Sequence, residues 1–291
     1  MSRTAGAEGG MNILSVQSWV TYGHVGNAAA VFPLQRLGAE VWAIHTVQFS
    51  NHLGYGRFRG KVYGGEDVRG LVEGLHELGV LPRCDAVLSG YMGDAGIGSA
   101  ILDSVARVKQ ANPAALYCCD PVIGDAGTVY VRPGIPELLR DQALGLADIT
   151  TPNQFELEYL TGLPCTTLEQ AKRAVASLQA RGPATVLVTS LRLADTPADS
   201  LDLLVGSDGR FHRLRTPLLP GHFSGTGDVM AALFLLHRLR RLSAQDALAR
   251  AAASLHGVLR RTLAEGSAEI LTVAAQEEFV APTQNFAAEP C

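Results

Sequence analysis

The chain predicts an α/β fold: a central, mostly parallel β-sheet flanked by helices on both faces. Three observations carry that expectation. Short apolar runs of strand length alternate with longer amphipathic runs along nearly the whole chain. Polar and glycine-containing segments recur just past the apolar runs, where open parallel sheets gather their chemistry. Neither a low-complexity linker nor a repeat of fixed period interrupts the alternation. One domain over residues 12–291 is therefore expected, behind a disordered extension at residues 1–11. Met11, which opens the first periodic segment, is a second candidate start.

Taken in order, residues 12–17 predict a strand ending at Ser18, residues 25–37 a helix, and residues 41–45 a second strand after Gly38. A loop rich in Gly, Asn and aromatics covers residues 49–60. Residues 66–78 are amphipathic and helical, 86–89 form a strand, and 95–110 a helix broken at Asn112-Pro113. The apolar run 115–119 is a buried strand that delivers Asp120. Residues 136–143 read as helical and 148–150 as a short strand, followed by helices at 153–160 and 168–181 and a strand at 185–189. Runs 201–205 and 210–214 flank Ser207-Asp208-Gly209 as a hairpin. Helices at 228–239 and 244–263 follow, and the tail from Ala281 is irregular.

Composition narrows the function. The net charge is −4, and Lys occurs only at Lys61, Lys109 and Lys172, with no basic block. That excludes a nucleic-acid footprint and an anionic-membrane surface. The five cysteines show no Cys-x-x-Cys spacing, which fits a reducing compartment. Residues 1–10 contain no signal-peptide run, and no apolar stretch is long enough to span a bilayer. A cytoplasmic protein is expected.

The most informative segment is Ser224-Gly225-Thr226-Gly227-Asp228, which leads into an apolar helix. Glycines at a helix N-terminus let a ligand approach free N–H groups at the positive end of the dipole, an anion site. Asp228 beside it is either a helix cap or a base that accepts a hydroxyl proton during phosphoryl transfer. Asp120-Pro121-Val122-Ile123-Gly124-Asp125 places two acids in one loop, able to hold Mg²⁺ through water or merely to cap a turn. In Thr151-Pro152-Asn153-Gln154-Phe155-Glu156, Asn153 and Glu156 fit a capping box. Thr189 and Ser190 end a strand, where their hydroxyls can meet phosphates or close a turn. Tyr22 to Asn27 and Gln48 to Gly56 are polar, aromatic loops suited to a flat heteroaromatic ring, although a lone His24 or His52 is more often an ordinary loop residue. The P-loop, the dinucleotide fingerprint, the zinc-protease helix and the nucleophile elbow are all absent. Any nucleotide must therefore anchor on the Gly225–Asp228 turn.

Seven segments in this order resemble the pyridoxal kinases of the ribokinase-like superfamily: Ser15–Ser18, Tyr22–Asn27, Val47–His52, Ser89–Tyr91, Asp120–Asp125, Thr151–Glu156 and Gly225–Asp228. Gly-Thr-Gly-Asp alone marks the superfamily, whereas Gln-Phe-Ser-Asn-His with the early Tyr-Gly-His marks pyridoxal kinases. The resemblance spans residue 12 to about residue 282 and implies a ribokinase-like fold and ATP-dependent phosphorylation of vitamin B6. It implies that Ser18 hydrogen-bonds the pyridine ring and that Val20, His52, Leu53 and Tyr91 line the vitamin pocket. Asp120, Asp125 and Glu156 would position Mg²⁺. Asp120, Thr151, Asn153, Glu156, Thr189, Ser190, Thr226 and Gly227 would face ATP. Asp228 would be the general base, the Gly225–Gly227 amides the anion hole, and residues 124–132, with Tyr130, a lid. Use of K⁺ beside Mg²⁺ and a homodimer are implied as well.

Leu53 departs from the family, which often has Thr there. The lid contains no Cys, and Asp125 matches only one subgroup of the family. The rival readings are a hydroxymethylpyrimidine kinase, whose closing motif usually carries Cys at the position of Asp228, a sugar kinase, and a non-catalytic B6 carrier.

Overall fold

The computed structural model describes residues 10–291. The expected disordered extension falls outside the described residues apart from positions 10 and 11. Met11 is already engaged, its carbonyl accepting the Glu40 N–H at 2.8 Å.

The strands are β1 (Asn12–Val20), β2 (Glu40–Phe49), β3 (Gly60–Val62), β4 (Ala86–Ser89), β5 (Leu116–Cys119), β6 (Gly124–Asp125), β7 (Thr128–Val129), β8 (Ile149–Thr150), β9 (Thr185–Leu191), β10 (Ser200–Ser207), β11 (Arg210–Pro217) and β12 (Glu289–Pro290). The helices are α1 (Asn27–Arg36), α2 (Gly65–Glu77), α3 (Ala95–Ala111), α4 (Ile135–Leu138), α5 (Leu144–Leu146), α6 (Gln154–Thr161), α7 (Leu168–Gln179), α8 (Thr226–Leu239), α9 (Ala244–Ala264) and α10 (Glu277–Val280).

Ten strands form one sheet in the order β12-β11-β10-β9-β8-β5-β4-β1-β2-β3, while β6 and β7 make a separate two-stranded ribbon. Pairing is parallel from β2 through β1, β4, β5 and β8 to β9. It is antiparallel at both margins, where β3 joins β2 and the β10–β11 hairpin joins β9. The predicted mostly parallel α/β sheet is thus observed.

Alternation along the strands splits the core. Leu14, Val87, Tyr117, Cys119 and Val186 pack with α2, α3, α6 and α7 on one face. Ile13, Leu88, Cys118 and Leu187 pack with α1, α8 and α9 on the other. Each fully buried Leu or Ile contributes about 1.5–3 kcal/mol, so this double-sided burial explains why the central strands are uniformly apolar.

Local departures from expectation have physical reasons. β1 and β2 run on to Val20 and Phe49 because they pair with each other there. Gly60–Val62, of which only Gly60 falls in the expected loop and the rest in no expected element, is a strand because Val47, Gln48 and Phe49 offer it a free edge. α1 starts two residues late because Gly26 sits at φ 54. The helical reading of 136–143 becomes α4 followed by a π-helical turn at Leu139–Ala143. Within the irregular tail, β12 pairs briefly with His212 and Arg213. No helix among the described residues is long and apolar enough to cross a membrane.

Candidate active site

The sheet order places β1 and β2 toward one side, β10 and β11 toward the other, and β5 and β8 between them. The loops leaving β1, β4, β5, β8 and β9 open onto one cavity of about 640 Å³. The ring-side, nucleotide-side, Mg²⁺-side and catalytic residues expected from the resemblance border it, whereas of the Tyr22–Asn27 loop only Val25 does and His24 does not. Ser18, Val20, His52, Leu53 and Tyr91 stand on the β1–β2 side. Asp120, Asp125, Thr151, Asn153, Glu156, Thr189 and Ser190 follow β5, β8 and β9, and Gly225, Thr226, Gly227 and Asp228 form the head of α8.

The turn at Gly225 is built for close approach. Gly225 caps α8 with φ 84 and ψ −2, in the left-handed region. A Cβ there would fall on the His24 carbonyl oxygen. The bare backbone therefore packs the 22–27 loop against the helix head. Next to it, a Cβ at Gly227 would meet no protein atom within 4 Å. The backbone of the first turn thus borders open cavity, and the unpaired N–H groups of a helix start suit an anion there.

Acids collect opposite those amides. Asp120 is buried, and its Oδ1 accepts the Thr151 hydroxyl at 2.9 Å. Burial first, then the charges of Glu156 and Asp228, push its carboxyl well above the usual range. Glu156 does form the expected capping box: its N–H donates to Asn153 Oδ1 and its Oε2 accepts the Asn153 N–H, both at 2.9 Å. It does more, because Oε1 accepts the N–H groups of Ile123 at 2.9 Å and Gly124 at 3.4 Å. That ties the Asp120–Asp125 loop to α6. Burial raises Glu156 to about 7 despite those donors.

Asp228 is half-buried and stands at about 6, raised by desolvation and opposed by the N–H groups of Gly26 and of Asp228 itself. Tyr130, projecting from the ribbon side, is pushed far up by burial and by the same acids. Burial also raises the Tyr91 phenol, offset in part by Arg132.

No Lys or Arg among the described residues borders this cavity. Carboxylates that raise one another without a basic partner fit a hard cation with oxygen ligands. Among the described residues, however, no three His, Cys, Asp or Glu side chains are close enough to hold a metal directly. A cation here would keep most of its water shell, which is the habit of Mg²⁺. Exposed Asp125 currently accepts the Ala126 N–H at 2.8 Å.

Reading the sequence missed two groups. Val25 and Phe49, within the loops expected to suit a ring, extend the wall beside Ser18 together with Val47, whereas the first missed group, Leu201, Leu203, Met230, Leu255 and Leu259, lines the opposite side. Their apolar character looks like core in a sequence, with no signal to separate the two. Glu269 is the other omission. It accepts from His52 Nε2 at 2.9 Å and from the Tyr55 hydroxyl at 2.7 Å. Its partners lie more than 200 positions away, so no local pattern could reveal it.

The family model described as phosphomethylpyrimidine kinase matches residues 82–272. The chain is 62% identical over 286 residues to pyridoxal kinase PdxY of Granulibacter bethesdensis, covering 97% of this chain and 100% of the relative. It is 53% identical over 280 residues to pyridoxal kinase PdxY of Rubrobacter xylanophilus, covering 96% and 97%. Pyridoxal kinase from Leishmania donovani in complex with ADP and pyridoxine superimposes with a TM-score of 0.89 at 31% identity, over 96% of this chain and 99% of that one. The Trypanosoma brucei pyridoxal kinase gives 0.86 at 30% identity, over 97% and 100%. With the acids, the amide-bearing turn and the ring-sized apolar wall meeting in one cavity, and with likeness to these kinases over nearly its full length, the chain belongs to the pyridoxal kinase family of ribokinase-like fold.

Proposed function

We propose that this protein, as one domain spanning residues 12–291, transfers the terminal phosphoryl group of ATP to the 5′-hydroxymethyl group of pyridoxal, giving pyridoxal 5′-phosphate in vitamin B6 salvage. Pyridoxine and pyridoxamine are further substrates, in line with the Leishmania donovani kinase complexes that contain ADP and either vitamer. The observation that carries the reading is Asp228. It is a carboxylate raised to about 6, set in the first turn of α8 beside free amides and bordering the same cavity as Ser18 and Tyr91.

A primary alcohol is a weak nucleophile, and the loose phosphoryl-transfer transition state asks chiefly for alignment and charge neutralisation. Asp228 accepts the hydroxyl proton as the bond to phosphorus forms. The Gly225 to Gly227 amides hold the phosphoryl oxygens. Ser18 fixes the pyridine ring, with Val20, His52, Leu53 and Tyr91 around it. Asp120, Thr151, Asn153, Glu156, Thr189, Ser190 and Thr226 face the nucleotide. Asp120, Asp125 and Glu156 would hold Mg²⁺ through water, and the ion, when bound, supplies the positive charge that offsets the phosphates. Residues 124–132 act as a lid that excludes water. K⁺ dependence, a homodimer and a cytoplasmic setting complete the reading, supported by the family resemblance.

The test is to supply MgATP, K⁺ and pyridoxal and follow pyridoxal phosphate absorbance, with pyridoxine, hydroxymethylpyrimidine and ribose read in parallel by ADP release. Turnover of pyridoxal well above the other acceptors is expected. Turnover of the pyrimidine or the sugar alone would overturn the substrate, and tight pyridoxal binding without ADP would mark a carrier.

A further inference from the structure

Glu269 lies in the segment between α9 and α10, does not border the cavity, and is 7% exposed. Three groups from the N-terminal loops converge on its carboxylate. The His24 N–H donates to Oε2 at 3.1 Å, while His52 Nε2 and the Tyr55 hydroxyl share Oε1 at 2.9 Å and 2.7 Å. The imidazole is held from both ends. Its Nδ1 accepts the Gly54 N–H at 3.2 Å, which leaves that nitrogen without a proton and puts the ring hydrogen on Nε2, pointing at Glu269. The His52 and Tyr55 rings also pack together, with centroids 4.7 Å apart.

The contact admits no spacer. Gly23 has φ 90, and a Cβ there would collide with the Glu269 carboxylate. The next residue, His24, presses its carbonyl on Gly225, and Ile270 approaches the same glycine. Residues 269 and 270 therefore touch both the ring-side loops and the turn that carries Asp228. Burial would raise the Glu269 carboxyl, but the hydrogen bonds from Tyr55, His52 and the His24 N–H outweigh it and hold it below the usual range, so it stays an acceptor for all three.

We propose that Glu269 is a positioning residue for the B6 vitamer: it fixes the His52 ring and the Tyr22–Asn27 loop against the Gly225 turn, so that the ring wall and the phosphoryl-transfer head keep a constant spacing. The proposal rests on the kinase reading above. It predicts a selective defect, because the ATP-facing acids after β5 and β8 make no contact with this carboxylate.

The experiment compares wild type, Glu269→Gln, His52→Ala and the double variant, reading KM for pyridoxal, KM for ATP, kcat and Tm. Gln keeps the size but places an NH₂ where one of three donors needs an acceptor. The expected result for Glu269→Gln is a roughly tenfold rise in KM for pyridoxal, a change in KM for ATP below about twofold, and a Tm lower by a few degrees. Because Glu269 acts in part through His52, the change should be clearly less than additive in the His52→Ala background. Equal rises in both KM values, a fall in Tm with KM for pyridoxal unchanged, or fully additive effects would each overturn the positioning role while leaving the kinase reading intact. Absence of turnover of any B6 vitamer by the wild type would overturn both together.

Discussion

Replacing Asp228 by Asn separates the two consequences of this carboxylate. Its folded value is about 6, against 3.8 for an ordinary Asp. A carboxyl raised by folding contributes stability that is complete below 3.8 and is lost as pH rises through 6. At pH 8 the protein therefore holds a charge that its surroundings resist, at a cost on the order of 2–3 kcal/mol. Asn has no charge to desolvate, and its oxygen can still accept the Gly26 N–H. The variant should be more stable at pH 8, with a Tm several degrees higher, and the gain should disappear below about pH 4. Turnover should move the other way, since a positioned general base is worth about 10²–10⁴-fold. Pyridoxal affinity, measured by equilibrium dialysis, should change less than about threefold. Thermal unfolding across pH 4–8 and a coupled ADP assay check both halves. Near-normal kcat would remove Asp228 as the base, and a lower Tm at pH 8 would show that burial is not what raises its carboxyl.

Three further outcomes are expected. Glu156 stands at about 7 and Asp120 is raised too, so the stability they contribute is lost as pH rises through 7; the ligand-free Tm should fall from pH 6 to pH 8, added Mg²⁺ should recover more at pH 8, and Glu156→Gln should flatten the slope. Gly225→Ala forces φ 84 on a side chain that meets the His24 carbonyl, so Tm should drop with a loss of about 1–3 kcal/mol and KM for ATP should rise. Ser18→Ala should raise KM for pyridoxal about tenfold, with little change in KM for ATP.

The sheet and much of the site's lining were legible because their signals are local. β5 reads as an apolar run ended by an acid, and Asp120 is found where the strand ends. The hairpin reads from Asp208-Gly209, and both residues take the positive φ that such a turn requires. The capping box at Asn153 and Glu156 follows from spacing alone, but the reach of Glu156 to Ile123 and Gly124 does not, since it depends on where β5 and β8 lie in the sheet. β3 was missed because three residues carry no periodicity and are strand only by pairing with β2. Leu201 and Leu203 look like sheet interior in sequence, and only the packing of β10 beside α9 opens them to the cavity.

The same contrast explains why the acids sit where they do. For folding alone, neutral residues at 120, 156 and 228 would serve better, since burial raises all three carboxyls and neighbouring acids add to it at Asp120 and Glu156. Backbone donors restrain Glu156 and Asp228, and the Thr151 hydroxyl restrains Asp120, but none of these brings a full positive charge. The Gly26 N–H and its own amide restrain Asp228 at the head of α8. The helix dipole there favours the anion that forms when the proton leaves. Glu156 stands in the first turn of α6 and takes the Asn153, Ile123 and Gly124 N–H groups, while Asp120 has only the Thr151 hydroxyl among the described residues. Asp228 borders the open amides, and Asp120 and Glu156 stand where a hydrated cation would lower the cost of their charge. On the proposed kinase reading, proton acceptance falls to Asp228 and charge balance to Asp120 and Glu156, because Asp228 alone of the three stands at the head of α8.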